Sequence, residues 1–94
     1  MIKVVSKTLV KEECLDTFKQ LAKELVEKSQ NDAGMVYYTI NQSIADPRLF
    51  VMLEAWESRE ALKAHSEAPH FVTLVPQMGP MAEQSFPLEL FVEI

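Results

Sequence analysis

The stretch Leu49 to Glu57 alternates with the period of a strand, yet it carries apolar side chains on both of its faces. One set is Phe50, Met52, Glu54 and Trp56; the other is Leu49, Val51, Leu53 and Ala55. A sheet with helices on one side only shows polar residues to water on the other. This strand therefore demands cover twice. Helices of the same chain can supply one cover, and a second copy related by a two-fold axis is the simplest supply of the other. Burying the aliphatic set at such an interface is worth several kcal/mol at ~25 cal/mol per Å², before association costs.

The neighbouring segments say which fold provides that cover. Ile2 to Val10 is rich in Val and Ile and reads as a strand. From Glu12 to Ser29, Cys14, Leu15, Phe18, Leu21, Ala22, Leu25 and Val26 recur at steps of three and four, which marks one face of a long helix. Asn31, Asp32 and Gly34 end it, with Gly34 suited to a left-handed exit. Met35 to Gln42 and Leu49 to Glu57 are joined by the short Ser43 to Arg48 connection, which implies an antiparallel hairpin. Ser58 can cap a second helix on which Ala61, Leu62 and His65 share a face. Pro69 starts a third that runs to about Met78, and Ser85 to Glu93 is a last strand. The order β-α-β-β-α-α-β, folded with right-handed crossovers, is an α+β ferredoxin-like sandwich occupying residues 1–94 as one domain.

Composition removes several functions. Nine Lys and Arg against 14 Asp and Glu leave a net charge of −5, so neither a nucleic acid nor an anionic membrane finds a basic stripe. The longest strictly apolar run, Leu49 to Leu53, is far short of a membrane span, and no leader opens the chain. A single cysteine, Cys14, excludes an intrachain disulfide or a multi-thiolate metal site and fits a reducing cytoplasm; its place on the apolar stripe makes it an inert core residue. With only Gly34 and Gly79, neither a P-loop nor a Gly-x-Gly-x-x-Gly turn can be written.

Three residue types on the helix-facing side are not ordinary core fillers. Glu54, amid Phe50, Met52 and Trp56, must pair with a Lys or Arg under the helices, stay protonated, or border a wet cavity. His65 points inward if the second helix is regular, either as a satisfied core residue or as a base. His70, in the first turn after Pro69, is either solvated or held neutral by the helix dipole as an acceptor. Five residues apart, with a break between, the two histidines match no usual ligand spacing, so no metal is expected. Tyr38, Trp56 and Phe71, with Met52, Met78 and Met81, are core aromatics and packing, or the wall for a flat aromatic ligand. No nucleophile paired with a base can be assembled.

Five runs resemble the antibiotic biosynthesis monooxygenase domain family in order and spacing: Gly34-Met35-Val36-Tyr37-Tyr38, Asp46-Pro47-Arg48-Leu49-Phe50-Val51, Glu54-Ala55-Trp56-Glu57-Ser58, Ala64-His65 and Pro69-His70-Phe71. The resemblance implies a ferredoxin-like protomer, a homodimer that packs sheet on sheet as a dimeric α/β barrel, and a pocket between sheet and helices. It implies oxidation of a small electron-rich phenol or quinol by O₂ with no cofactor. In that reading His65 takes the proton or holds the anion, Glu54 orients it, and Trp56 works beside them. Tyr38, Met52, His70 and Phe71 would hold the substrate. Haem-degrading relatives carry an asparagine where Ser6 stands and a histidine near Val75, and this chain has neither. A branch that isomerises a small phosphorylated dione would want a cation at the pocket, and the nearby Arg59 and Lys63 read as solvent-facing. The third reading is a non-catalytic dimer that binds a small hydrophobic metabolite.

Overall fold

Val, Ile and Thr supply most of the first nine strand residues, and the computed structural model, which describes residues 1–94, builds β1 from them at Ile2–Val10. A 3-10 turn at Glu12–Cys14 then leads into α1 (Leu15–Ser29), so the regular helix starts later than its apolar period predicts. Cys14 sits at the N-cap, half-buried, where it packs against the core. The hairpin follows as β2 (Met35–Gln42) and β3 (Leu49–Trp56), antiparallel and in the expected places. Side chains close its loop: Ser43 Oγ accepts the Ala45 and Asp46 amides, and Asp46 Oδ1 accepts the Arg48 amide.

Helix α2 (Arg59–Glu67) is capped by Ser58, whose Oγ accepts the Ala61 amide at 3.1 Å. Helix α3 (Pro69–Met78) begins directly after it with proline in its first turn. The final strand differs from the single run expected over Ser85 to Glu93. It starts earlier and is broken in two, as β4 (Ala82–Ser85) and β5 (Glu89–Phe91), both antiparallel to β1. Pro87 lies in the gap and has no amide to give to a ladder.

The sheet order β2-β3-β1-β4, with β5 also on β1, is the ferredoxin-like sandwich expected from the element order. The helices cover one face. There Phe18, Ala22 and Leu25 of α1 and Leu74 and Met78 of α3 pack on the buried Phe50, Met52 and Trp56 of β3. The Phe18 and Phe50 ring centroids are 5.0 Å apart. On the other face, Leu53 is 38% exposed in this chain alone, and Leu49 and Val51 are half-buried. The chain itself thus buries Ala55 on the second face of β3 but covers the rest of it only in part.

Gly34 has another task than the one its position suggested. Helix α1 stops at Ser29 and Gln30 is still right-handed, so the left-handed residue does not terminate the helix. With φ +77°, Gly34 turns the chain into β2, and its carbonyl accepts the Glu57 amide at 2.8 Å. A Cβ there would lie 2.6 Å from Cβ of Ala61, so glycine lets α2 settle against this turn.

Candidate active site

Ladder register sets the floor of the site. Val4 of β1, Glu54 of β3 and Tyr38 of β2 lie side by side on the helix-facing side, and Ser6, Met52 and Ile40 form the next row. Helices α2 and α3 do not lie flat on these rows. Between them and the sheet is a cavity of about 610 Å³, within the range of small-molecule sites and mostly apolar in its lining. Glu54, Tyr38, Met52, His65 and Phe71 all reach its wall. Arg59 and Lys63 are exposed, as expected from the sequence, and also reach the cavity at its rim. Their spacing of four puts them on one side of α2 with Ser66, an exposed side at the cavity rim, while His65 is the buried residue of that helix.

The element that organises the site was not singled out in the sequence. Asp32, in the turn between α1 and β2, places Oδ2 2.7 Å from Nδ1 of His65 and 2.9 Å from Nε2 of His70. An ionised carboxylate can only accept, so each of those ring nitrogens carries the proton it donates. His65 is 2% exposed, and its other nitrogen, Nε2, has no hydrogen-bond partner. Burial lowers the His65 pKa below its ordinary value, and the Asp32 hydrogen bond and charge act against that shift. The result is a neutral imidazole with a fixed tautomer and a bare Nε2 on a residue that lines the cavity. Glu54 was expected to orient His65, but that position is held by Asp32.

Glu54 is 5% exposed and takes part in no ion pair. Its Oε1 accepts the indole N–H of Trp56 at 3.0 Å. Burial raises its pKa and the Trp56 bond opposes the shift, so the ion-pair reading falls, and Glu54 is a cavity-bordering carboxyl pushed toward its protonated form. Trp56 itself is fully buried and off the cavity wall. It backs His65, their rings 4.5 Å apart and inclined 34°, with Tyr38 edge-on to the indole at 6.2 Å. The expected aromatic cage is thus rearranged: Tyr38 and Phe71 face the cavity, and Trp56 supports the imidazole from behind. Burial, then the charges of Glu54 and Asp32, push the Tyr38 phenol above its ordinary value, and its hydroxyl donates to Met52 Sδ at 3.4 Å. Met81 packs against the core without reaching the cavity.

His70 also lies off that wall. It borders a second hollow of about 390 Å³ with Glu24, Lys28 and Asn31. Spacing alone left the two histidines without a shared geometry. The fold brings them together on one carboxylate, and one ligand atom from each of Asp32, His65 and His70 lies within 4.8 Å of the others. Two imidazoles and a carboxylate are a donor set that suits a transition metal. Here both ring nitrogens are already satisfied by Asp32.

The family model described as antibiotic biosynthesis monooxygenase matches residues 1–77. The chain belongs to that family. Among solved structures, one described as an antibiotic biosynthesis monooxygenase is 32% identical, superposes with a TM-score of 0.95, and is matched over 100% of this chain and 99% of its own. YcnE of Bacillus subtilis (strain 168), whose name assigns it provisionally as a monooxygenase, is 36% identical over 62 residues, 66% of this chain and 65% of its own length. The protein sll1783 of Synechocystis sp. (strain ATCC 27184 / PCC 6803 / Kazusa) is 27% identical over 74% of this chain and 48% of its own. The matched region thus spans about half to two thirds of those two relatives. Family membership, the name of YcnE and the description of the 32%-identical structure support a monooxygenase-like role, and no helix is long and apolar enough to cross a membrane.

Proposed function

We propose that the protein is a cofactor-independent monooxygenase that oxidises a small electron-rich phenol or quinol with O₂, working as a homodimer in the cytoplasm. The observation that carries this reading is the buried His65, with Nδ1 tied to Asp32 and Nε2 unpartnered. A phenol placed in the cavity loses its proton to Nε2. Asp32 stabilises the imidazolium that forms, as a buried carboxylate does for any charged partner it already holds.

The phenolate is then the reductant. It passes one electron to O₂, and the radical pair combines at a ring carbon that still bears hydrogen. His65 returns its proton to the resulting peroxide. Loss of the carbon-bound proton with cleavage of the O–O bond leaves a carbonyl, and the departing hydroxide takes up that proton as water. The balance is one phenol plus one O₂ giving one quinone plus one water. Tyr38, Met52 and Phe71 enclose the ring and keep bulk water away from the radical pair. Glu54, a carboxyl that burial holds toward its protonated form, donates to an oxygen of the substrate, while Trp56 holds both Glu54 and His65 in place.

Oxygen consumption by the purified protein with a panel of quinols and naphthols in chelator-treated buffer tests this. Asp32→Asn keeps an acceptor for both histidines but removes the charge that stabilises imidazolium, and should lower kcat roughly 10²- to 10⁴-fold with little change in substrate affinity. Equal turnover by the wild-type protein and this variant would overturn the assignment of His65. Isomerisation of a small phosphorylated dione gains some support from Arg59 and Lys63 on the wall, and it would proceed equally well without oxygen.

A further inference from the structure

The cavity wall carries charge in an uneven way. Apart from His65 and the Tyr38 phenol, its ionisable members are Glu54 on the sheet and the pair Arg59 and Lys63 on α2. Neither cation makes a salt bridge or donates a side-chain hydrogen bond, a state they share with Lys7, Lys11, Lys19 and Lys23, but of the nine Lys and Arg they alone line the cavity. Two of the nine cations in a chain of net charge −5 thus meet on one cavity wall. The single carboxylate that could oppose them there, Glu54, already accepts from Trp56. Burial also favours its neutral form, which removes repulsion toward an anion.

We infer that Arg59 and Lys63 form an oxyanion-recognition subsite of the cavity, so that the ligand is a phenol or quinol bearing an acidic group. This rests on the reading of the cavity as the substrate site and adds the class of substrate to it. The shared wall supports a ligand with two ends. Arg59, Lys63 and His65 share α2 and all line the cavity, so a ligand with a hydroxyl at His65 can turn an acidic group toward the two cations at the rim. An Arg fork beside a Lys suits a carboxylate or a phosphate by paired N–H donation. The hydroxyls of Ser66 on the same helix and of Ser6 and Thr8 on the floor give the wall further polar points.

The test uses binding under anaerobic conditions, so that affinity is read apart from turnover. Titration calorimetry compares 2,5-dihydroxyphenylacetate with its primary amide, in which the methylene insulates the ring from the change of charge. 4-Hydroxyphenyl phosphate is carried in parallel. The acid should bind the wild-type protein at least tenfold more tightly than the amide, and the ratio should fall as salt is raised. In the double variant Arg59→Gln/Lys63→Gln, with folding checked by its melting temperature, the ratio should collapse toward one. Which of the two acids binds more tightly names the anion, and either beating the amide supports the subsite. Equal binding of acid and amide, binding of neither, or a ratio that survives the double variant would overturn it. A preserved preference for the acid together with no oxygen uptake on any quinol would leave the subsite standing and remove the monooxygenase reading instead.

Discussion

His65 is the residue whose environment makes the most specific physical demand. Its pKa in the folded chain is lowered, first by burial, from the ordinary 6.5, so the folded state binds the proton less readily than the unfolded state does. A group with a lowered basic pKa contributes stability that is fully present above the unfolded value and is lost as pH falls through the folded one. Melting temperature should therefore drop as pH is taken below 6.5. Glu54 has the opposite sign: its raised pKa gives stability that is present below 4.5 and is lost as pH rises through the folded value. The two slopes oppose each other between these pH values, so a difference curve is needed. Subtracting the melting profile of His65→Gln from that of the wild type should leave a rise with pH that levels off near 6.5, and a flat difference would mean that His65 is solvated. The inward imidazole and the odd Glu54 were legible from sequence because each sits on a face whose period declares where it points. Asp32 was not, because it lies in a turn, where no period applies, and its partners are 33 and 38 residues away.

At the scale of elements, the site depends on how closely α2 approaches the turn before β2. Gly34 makes that approach, with φ +77° and an added Cβ only 2.6 Å from Ala61. Gly34→Ala would strain the backbone and drive α2 away, at a cost of about 2–4 kcal/mol in unfolding free energy by denaturant titration. Because α2 carries Arg59, Lys63 and His65, the same variant should weaken ligand binding beyond what the lost stability explains. A stability within 0.5 kcal/mol of wild type, a shift ordinary for a surface change, would show that the turn and helix can separate freely. The elements themselves were readable because the strands carry β-branched runs and the helices carry caps and apolar periods. The final strand was not. Its apolar residues Leu88, Leu90, Phe91 and Val92 are all exposed in the single chain, so they read as strand by composition while Pro87 divides the ladder that composition cannot see.

For the whole molecule the open question is what covers the second face of the sheet. Ladder partners place Val5 beside Leu53 and Leu9 beside Leu49, with Val51 and Ala55 on the same side, Lys3 and Lys7 alternating with the apolar residues of β1, and Tyr37, Thr39 and Asn41 along β2. This is an apolar stripe along β3 between mixed strands, a surface that protein interfaces also present. A two-fold dimer pairs the patch with itself, and a stable one hides about 800 Å² per partner. Sedimentation at micromolar concentration should give the mass of a dimer. Leu53→Asp would bury an unpaired carboxylate in each half of the contact, so it should sediment as a monomer while keeping the far-ultraviolet circular dichroism of the wild type. That separation matters because the cavity lies under the helices, on the opposite face of the sheet. Leu88, exposed in the single chain, sits both on that wall and in the break of the edge strand, where a second copy packed on the sheet would come near it. The monomeric variant should accordingly bind quinols more weakly without losing binding altogether. A wild-type protein that sediments as a monomer would mean that the exposed leucines of this face are tolerated by water, and that the doubly apolar third strand had been read for more than it carries.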